Sequence, residues 1–199
     1  LHIKGTDASI VDKSQVSNLK LVGNTTASTT QIKYGNSSMY FDGVGDYLTS
    51  ATTSAETMEL GTGDFTMECW LYPTAASGYS MIFDHGVTVS DISFGLKATT
   101  LQPYLYTSGF VINGSSNAQL NVWQHIALVR NSGTITIYLN GIGIGSTSTV
   151  YNYTAQNFMI GGAHDGLSFF KGYMQDYRIT KGLARYTTNF TPPTESLKG

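Results

Sequence analysis

The chain predicts an all-β fold, a sandwich or jelly roll of antiparallel strands. Three observations carry this expectation. Short segments of alternating polarity recur along the 199 residues. Gly/Asp turn signals separate them, and no helical periodicity runs longer than two turns.

Taken in order, Ser38 to Phe41 reads as a strand that enters the turn Asp42-Gly43-Val44-Gly45-Asp46 and leaves as the strand Tyr47 to Ser50. Glycine accepts positive φ there, and aspartate bonds its own backbone in turns. The same grammar recurs at Gly61-Thr62-Gly63-Asp64. Phe65 to Tyr72 alternates, and Pro73 stops it. Gln124 to Arg130 is apolar enough for a strand buried on both faces. Thr134 to Leu139 alternates cleanly, and Asn140-Gly141 supplies a type I′ hairpin turn into Ile142 to Gly145. Phe158 to Gly161 and Gly172 to Thr180 are further strands, and Ser54 to Leu60 has room for one helical turn. Residues 1–191 are expected as one domain, and residues 192–199, beginning Pro192-Pro193-Thr194-Glu195, as an extended linker.

Composition narrows the function classes. Charged residues make up only 12%, so Ser, Thr, Asn and Gly supply much of the polar surface. The net charge is −2, from 11 basic and 13 acidic residues with no basic stripe, which excludes the footprint of a nucleic-acid binder. No apolar run reaches transmembrane length, so membrane insertion is not expected. A lone cysteine, Cys69, closes no intrachain disulfide and is expected in the core. The start at Leu1 rather than Met suggests a processed product or an excerpt of a longer protein.

Alternation also assigns faces. Phe65, Met67, Cys69 and Leu71 share the core side of their strand, which leaves Thr66, Glu68, Trp70 and Tyr72 on the other. Ile135, Ile137 and Leu139 face the core, so Thr136, Tyr138 and Asn140 face away. Tyr104 and Tyr106 form another same-face pair. Trp70, Tyr104, Tyr106 and Tyr138 are therefore candidate platforms for a sugar ring, with amides and carboxylates to bond its hydroxyls. The loop residues Asp84, His85, His164 and Asp165 form a rival candidate site, because loops on a rigid scaffold concentrate binding residues. Half-burial of the same aromatics under loops is the competing structural reading.

Phe41-Asp42-Gly43, Asp46-Tyr47-Leu48 and the run Gly63 to Pro73 resemble the laminin G-like branch of the concanavalin A-like lectin/glucanase superfamily. The runs Trp123 to Arg130 and Ile137 to Gly141 are similar to its next two strands, and Gly172 to Gly182 with Arg185 to Pro193 to its C-terminal end. That end is similar to variants in phage tail and structural proteins and in bacterial surface proteins. The resemblance implies a two-sheet jelly-roll sandwich, and within that fold Trp123 is expected to be mostly buried. It implies a non-catalytic, lectin-like adhesion module that binds a glycan or polysaccharide, on a virion tail or fibre or at a cell surface. The alternative is a structural or assembly domain that packs against neighbouring subunits and has no sugar site.

Relatives place Ca²⁺ where the first loop meets a late strand. Asp12 and Asp176 match those positions, with Asp7 a third candidate, while Gln175 stands where relatives often have a second carboxylate. Asx turns at Asp7 or Asp12 and an Asp176–Arg178 pair are the alternative. A glucanase needs two carboxylates about 5 to 9 Å apart across a cleft. Relatives that cleave glucans carry them at alternate positions of one strand, and no strand here has acids at i and i+2. The histidines lack zinc-ligand spacing, and no strand-to-helix elbow exposes a nucleophile, so no enzyme activity is expected.

Overall fold

The computed structural model describes residues 1–5, 10–12, 19–50, 58–76, 78–86, 91–107 and 109–197. Among the described residues sixteen strands form: β1 (His2–Gly5), β2 (Ile10–Asp12), β3 (Leu19–Val22), β4 (Thr26–Ser28), β5 (Ser38–Asp42), β6 (Tyr47–Ser50), β7 (Phe65–Pro73) and β8 (Ser80–His85). After them come β9 (Ile92–Leu96), β10 (Pro103–Tyr106), β11 (Phe110–Asn113), β12 (Gln124–Asn131), β13 (Thr134–Leu139), β14 (Ile142–Ser148), β15 (Phe158–Ile160) and β16 (Lys171–Lys181). Every pairing is antiparallel, and no helix occurs among the described residues. One sheet has the order β14-β13-β12-β7-β16-β1-β2, with β5 and β4 branching from β16. The other has the order β11-β10-β9-β8-β15-β6-β3. The chain is a two-sheet jelly-roll sandwich, as its turn chemistry and alternation predict.

The core lies between the sheets. Phe65, Met67, Cys69 and Leu71 of β7 all enter it, as do Ile135, Ile137 and Leu139 of β13. Opposite them the seven-stranded sheet contributes Phe83, Phe94, Leu96 and Phe158. Burial in this apolar layer pushes the Cys69 thiol pKa up, so the thiol stays protonated and inert. The opening turn forms as read: Asp46 accepts from the Asp42 amide (2.7 Å) and Asp42 from the Val44 amide (2.7 Å). Asn140 and Gly141 both have positive φ, +50° and +79°, as a type I′ turn requires.

Trp123 is mostly buried, on the outer face beside Tyr72 (5.5 Å), while Ile126 and Leu128 take the core positions of that run. Two expectations change. Asp12 lies on a short strand paired with Ile3, not in a loop. Residues 193–197 return to the sandwich instead of leading away from it. Pro193 O accepts from the Tyr34 hydroxyl (2.8 Å), and Leu197 is buried. Residues 51–57 of the predicted helical turn lie outside the described residues, and Met58 pairs with Gln156 as an isolated antiparallel bridge.

Candidate functional site

A cavity of about 460 Å³ opens on the face of the seven-stranded sheet turned away from the core. Its floor comes from β8, β9 and β10, and its rim from Tyr79 and the loop after β15. A register shift between Met81 and Phe83 creates this floor. Strict alternation would put Met81 and Asp84 on opposite faces. The bulge turns both Ile82 and Phe83 into the core, so Met81 and Asp84 both line the cavity. Tyr104 pairs across strands with Gly95. A Cβ at Gly95 would come within 3.2 Å of the Tyr104 hydroxyl and 2.7 Å of Ser80 O, so glycine keeps the space that the ring occupies.

Three tyrosines shape the wall. Tyr104 is buried at the bottom and packs edge-on against Tyr79 at 5.5 Å. Tyr79 and Tyr106 remain 41% and 42% exposed, enough ring surface for a ligand to cover. Burial pushes the Tyr104 hydroxyl pKa up, so it stays a neutral donor and acceptor.

The polar wall is anchored by Asp84. Its Oδ1 accepts from Ser93 Oγ (2.5 Å), and its Oδ2 accepts from the His164 amide (2.9 Å) and His164 Nδ1–H (2.8 Å). In the neutral ring this leaves Nε2 of His164 as an acceptor. Asp165 folds the adjacent turn: Oδ1 accepts from the Leu167 and Ser168 amides (2.8 and 2.9 Å), and Oδ2 from Ser168 Oγ (2.7 Å). Partial burial works to raise the Asp165 pKa, but these hydrogen bonds outweigh it and hold the carboxyl below its usual value. Asp91 also lines the cavity, beside Gly86. The arrangement suits a polyol: rings to lie against its C–H faces and fixed acceptors for its hydroxyls. The lowered pKa of Asp165 makes that one group a poor general acid.

The two rival sequence sites meet in this one cavity. Tyr104, Tyr106, Asp84, His164 and Asp165 all line it. His85 does not belong to it. It is fully buried on the core side, where Nε2–H donates to Met58 O, the ring stacks near Phe83, and burial pushes its pKa down. Trp70 and Tyr138 lie on the opposite sheet and are 5% exposed each, so they are not open platforms. Tyr104 is likewise a buried floor rather than an exposed plate. Tyr79, Asp91, Ser93 and Ser168 escaped the sequence reading. Tyr79 follows a glycine in a turn, with no alternation to mark it, and Asp91 reaches the cavity only through the pairing of β8 with β9.

The segment after β16 covers Tyr138, while Tyr34 (5.7 Å, edge-on) and Lys33 cover Trp70. Tyr186 and Phe190 stack at 3.6 Å; Phe190 packs on Tyr138 (5.4 Å) and on His125 (5.7 Å). On Trp70, His125 lies edge-on and the Lys33 ammonium sits 4.2 Å from the ring. Beneath the segment Glu68 is buried with four donors: Nε and Nη2 of Arg178 (3.0 and 2.7 Å) on Oε1, and His125 Nε2 (3.2 Å) and the Tyr186 hydroxyl (2.7 Å) on Oε2. Burial alone would raise the Glu68 pKa; the His125 bond, the Arg178 charge and the Tyr186 bond overcome it and hold the carboxyl at about 2. Tyr138 also borders a smaller groove of about 350 Å³ with Thr136 and Tyr186.

For calcium, the described residues offer only part of the expected set. Asp176 is fully buried at a bulge in β16, with φ +51°. Its Oδ1 accepts from Ser196 Oγ (3.1 Å) and its Oδ2 from the Leu197 amide (2.8 Å). Gln175 is tied by its side-chain amide to the main chain of Lys33 and Tyr34. Hydrogen-bond donors of the C-terminal segment thus point at both Asp176 oxygens. Asp7 and the side chain of Asp12 lie outside the described residues. No group of three or more metal-capable side chains occurs among those described.

Comparison with known proteins agrees with the architecture. Domain 4 of AbnA, a GH43 extracellular arabinanase from Geobacillus stearothermophilus solved with arabinotriose, superposes with a TM-score of 0.65 at 15% identity, over 92% of this chain and 95% of that one. The binding domain of botulinum neurotoxin DC in complex with SialylT gives 0.65 at 15% identity, over 92% of this chain and 47% of that one. Cip1, a cellulose induced protein, gives 0.57 at 15% identity, over 89% of each chain. No curated protein matches the sequence. At such identities the likeness is one of fold. The model of one family covers residues 41–184, from β5 through β16 and both walls of the cavity, and by that match the chain belongs to the laminin G-like branch of the concanavalin A-like lectin/glucanases superfamily.

Proposed function

We propose that this protein is a non-catalytic carbohydrate-binding module and that its site is the cavity on the seven-stranded sheet. One observation carries the reading: two half-exposed tyrosine rings, Tyr79 and Tyr106, line one 460 Å³ cavity together with the fixed polar groups of Asp84, His164 and Asp165. Supporting it, the neighbours of this fold include domains solved with arabinotriose and with SialylT. An adhesion role, on a phage fibre or a bacterial surface, follows from the sequence resemblance and belongs to the same proposal. Single-domain affinity is modest, and copies in an assembly supply avidity. The calcium reading is not needed for this site, and no binding contact is routed through a metal.

Retention on immobilised polysaccharides, with monomeric and multimerised protein, tests the reading. Tyr106→Ala should weaken retention about tenfold while changing stability by less than about 0.5 kcal/mol, because the ring is an exposed edge. Absence of retention on every glycan, together with failed assembly when the domain is deleted, would replace the lectin reading with the structural one.

A further inference from the structure

We propose that the cavity takes a saccharide carrying a free amino group and turns away acidic sugars. The inference rests on the carbohydrate-binding reading and adds a charge class to it. Three carboxylates, Asp84, Asp91 and Asp165, line the cavity, and no Lys or Arg is among the described residues that do. The sequence has no basic residue at 87–90 or at 108 either. In its neutral form His164, whose Nδ1–H donates to Asp84, adds no positive charge to the lining. The chain as a whole carries only −2, so the negative field is a local property of the cavity.

The rings favour the same class. An ammonium is attracted to the face of a tyrosine, and Tyr79 and Tyr106 offer partly open rings beside the carboxylates. Asp84 and Asp165 each accept three hydrogen bonds from the protein. That leaves each about one lone-pair site for a ligand hydroxyl, so charge is the larger part of what they offer. A uronate or sialic acid would bring a further negative charge against three fixed ones. A protonated amine would meet the rings and the field together.

Matched oligomers test this. Calorimetry would compare glucosamine oligomers, their N-acetylated forms and oligogalacturonate, beside a panel of neutral glycans, at a pH where the amine is protonated. The amine oligomer should bind about tenfold tighter than the acetylated one, a gap that about 0.5 M salt shrinks by screening. Oligogalacturonate should not bind. Asp165→Asn, which keeps an oxygen for its turn, should narrow the gap between amine and acetylated forms. Equal or tighter binding of oligogalacturonate, or equal binding of amine and acetylated oligomers, overturns the charge selectivity and leaves the carbohydrate reading standing. If no saccharide of any class binds, the carbohydrate reading fails and the selectivity with it.

Discussion

Asp84 and His164 are joined twice. One carboxylate oxygen of Asp84 accepts both the main-chain amide (2.9 Å) and the Nδ1–H (2.8 Å) of His164, across eighty residues of sequence. This clamp ties β8 to the loop after β15, and with it the floor of the cavity to its rim. Asp84→Ala would strand these two donors and Ser93 Oγ at a mostly buried position. The expected cost is about 3 kcal/mol in chemical denaturation, with saccharide binding lost. An unchanged denaturation midpoint would show that the clamp does not hold the loop.

Glu68 makes stability depend on acid. Its folded pKa is about 2 against an ordinary 4.5, so the stability it contributes is fully present above about 4.5 and is lost as pH falls towards 2. At about 1.4 kcal/mol per pH unit that contribution is about 3 kcal/mol. Unfolding of wild type and Glu68→Gln at stepped pH checks this. The wild-type advantage should shrink between pH 4.5 and 2, and a gap constant over that range would exclude Glu68 as its source.

The C-terminal segment depends on a glycine at the hairpin turn. A Cβ at Gly141 would lie 1.9 Å from Phe190 O, and the Phe190 amide donates to Gly141 O (2.9 Å). Gly141→Ala should lift Phe190 from Tyr138 and His125 and speed proteolysis after β16. Asp176→Ala, which removes one acceptor from Ser196 and one from Leu197, should expose only the last residues. Equal cleavage rates in wild type and Gly141→Ala would refute this role.

Chelation separates the sugar site from any metal. Saccharide binding should be unchanged in chelator, because protein donors hold Asp84 and Asp165. Calcium between Asp12 and Asp176 stays a separate proposal. Its signature is a melting temperature raised by Ca²⁺ in wild type and insensitive to it in Asp12→Ala. Loss of saccharide binding in chelator would tie the two sites together.

Much of this molecule was legible in one dimension. Alternation in Phe65 to Leu71 named the core face, Asn140-Gly141 named its turn, and the order of motifs named the superfamily, since these depend on residues close in sequence. Which aromatics are open depended on what folds over them. Trp70 and Tyr138 have the pattern of exposed platforms, yet segments distant in sequence cover them, Phe190 on Tyr138 and Tyr34 with Lys33 on Trp70. The bulge at Ile82 was equally silent, because one extra residue in a strand changes no composition but moves every later side chain to the other face. That shift brought Asp84 beside His164 and Asp165, and turned His85 into the core. Local chemistry wrote the strands and turns; long-range packing chose the binding face, because exposure belongs to the contact between segments and not to either segment alone.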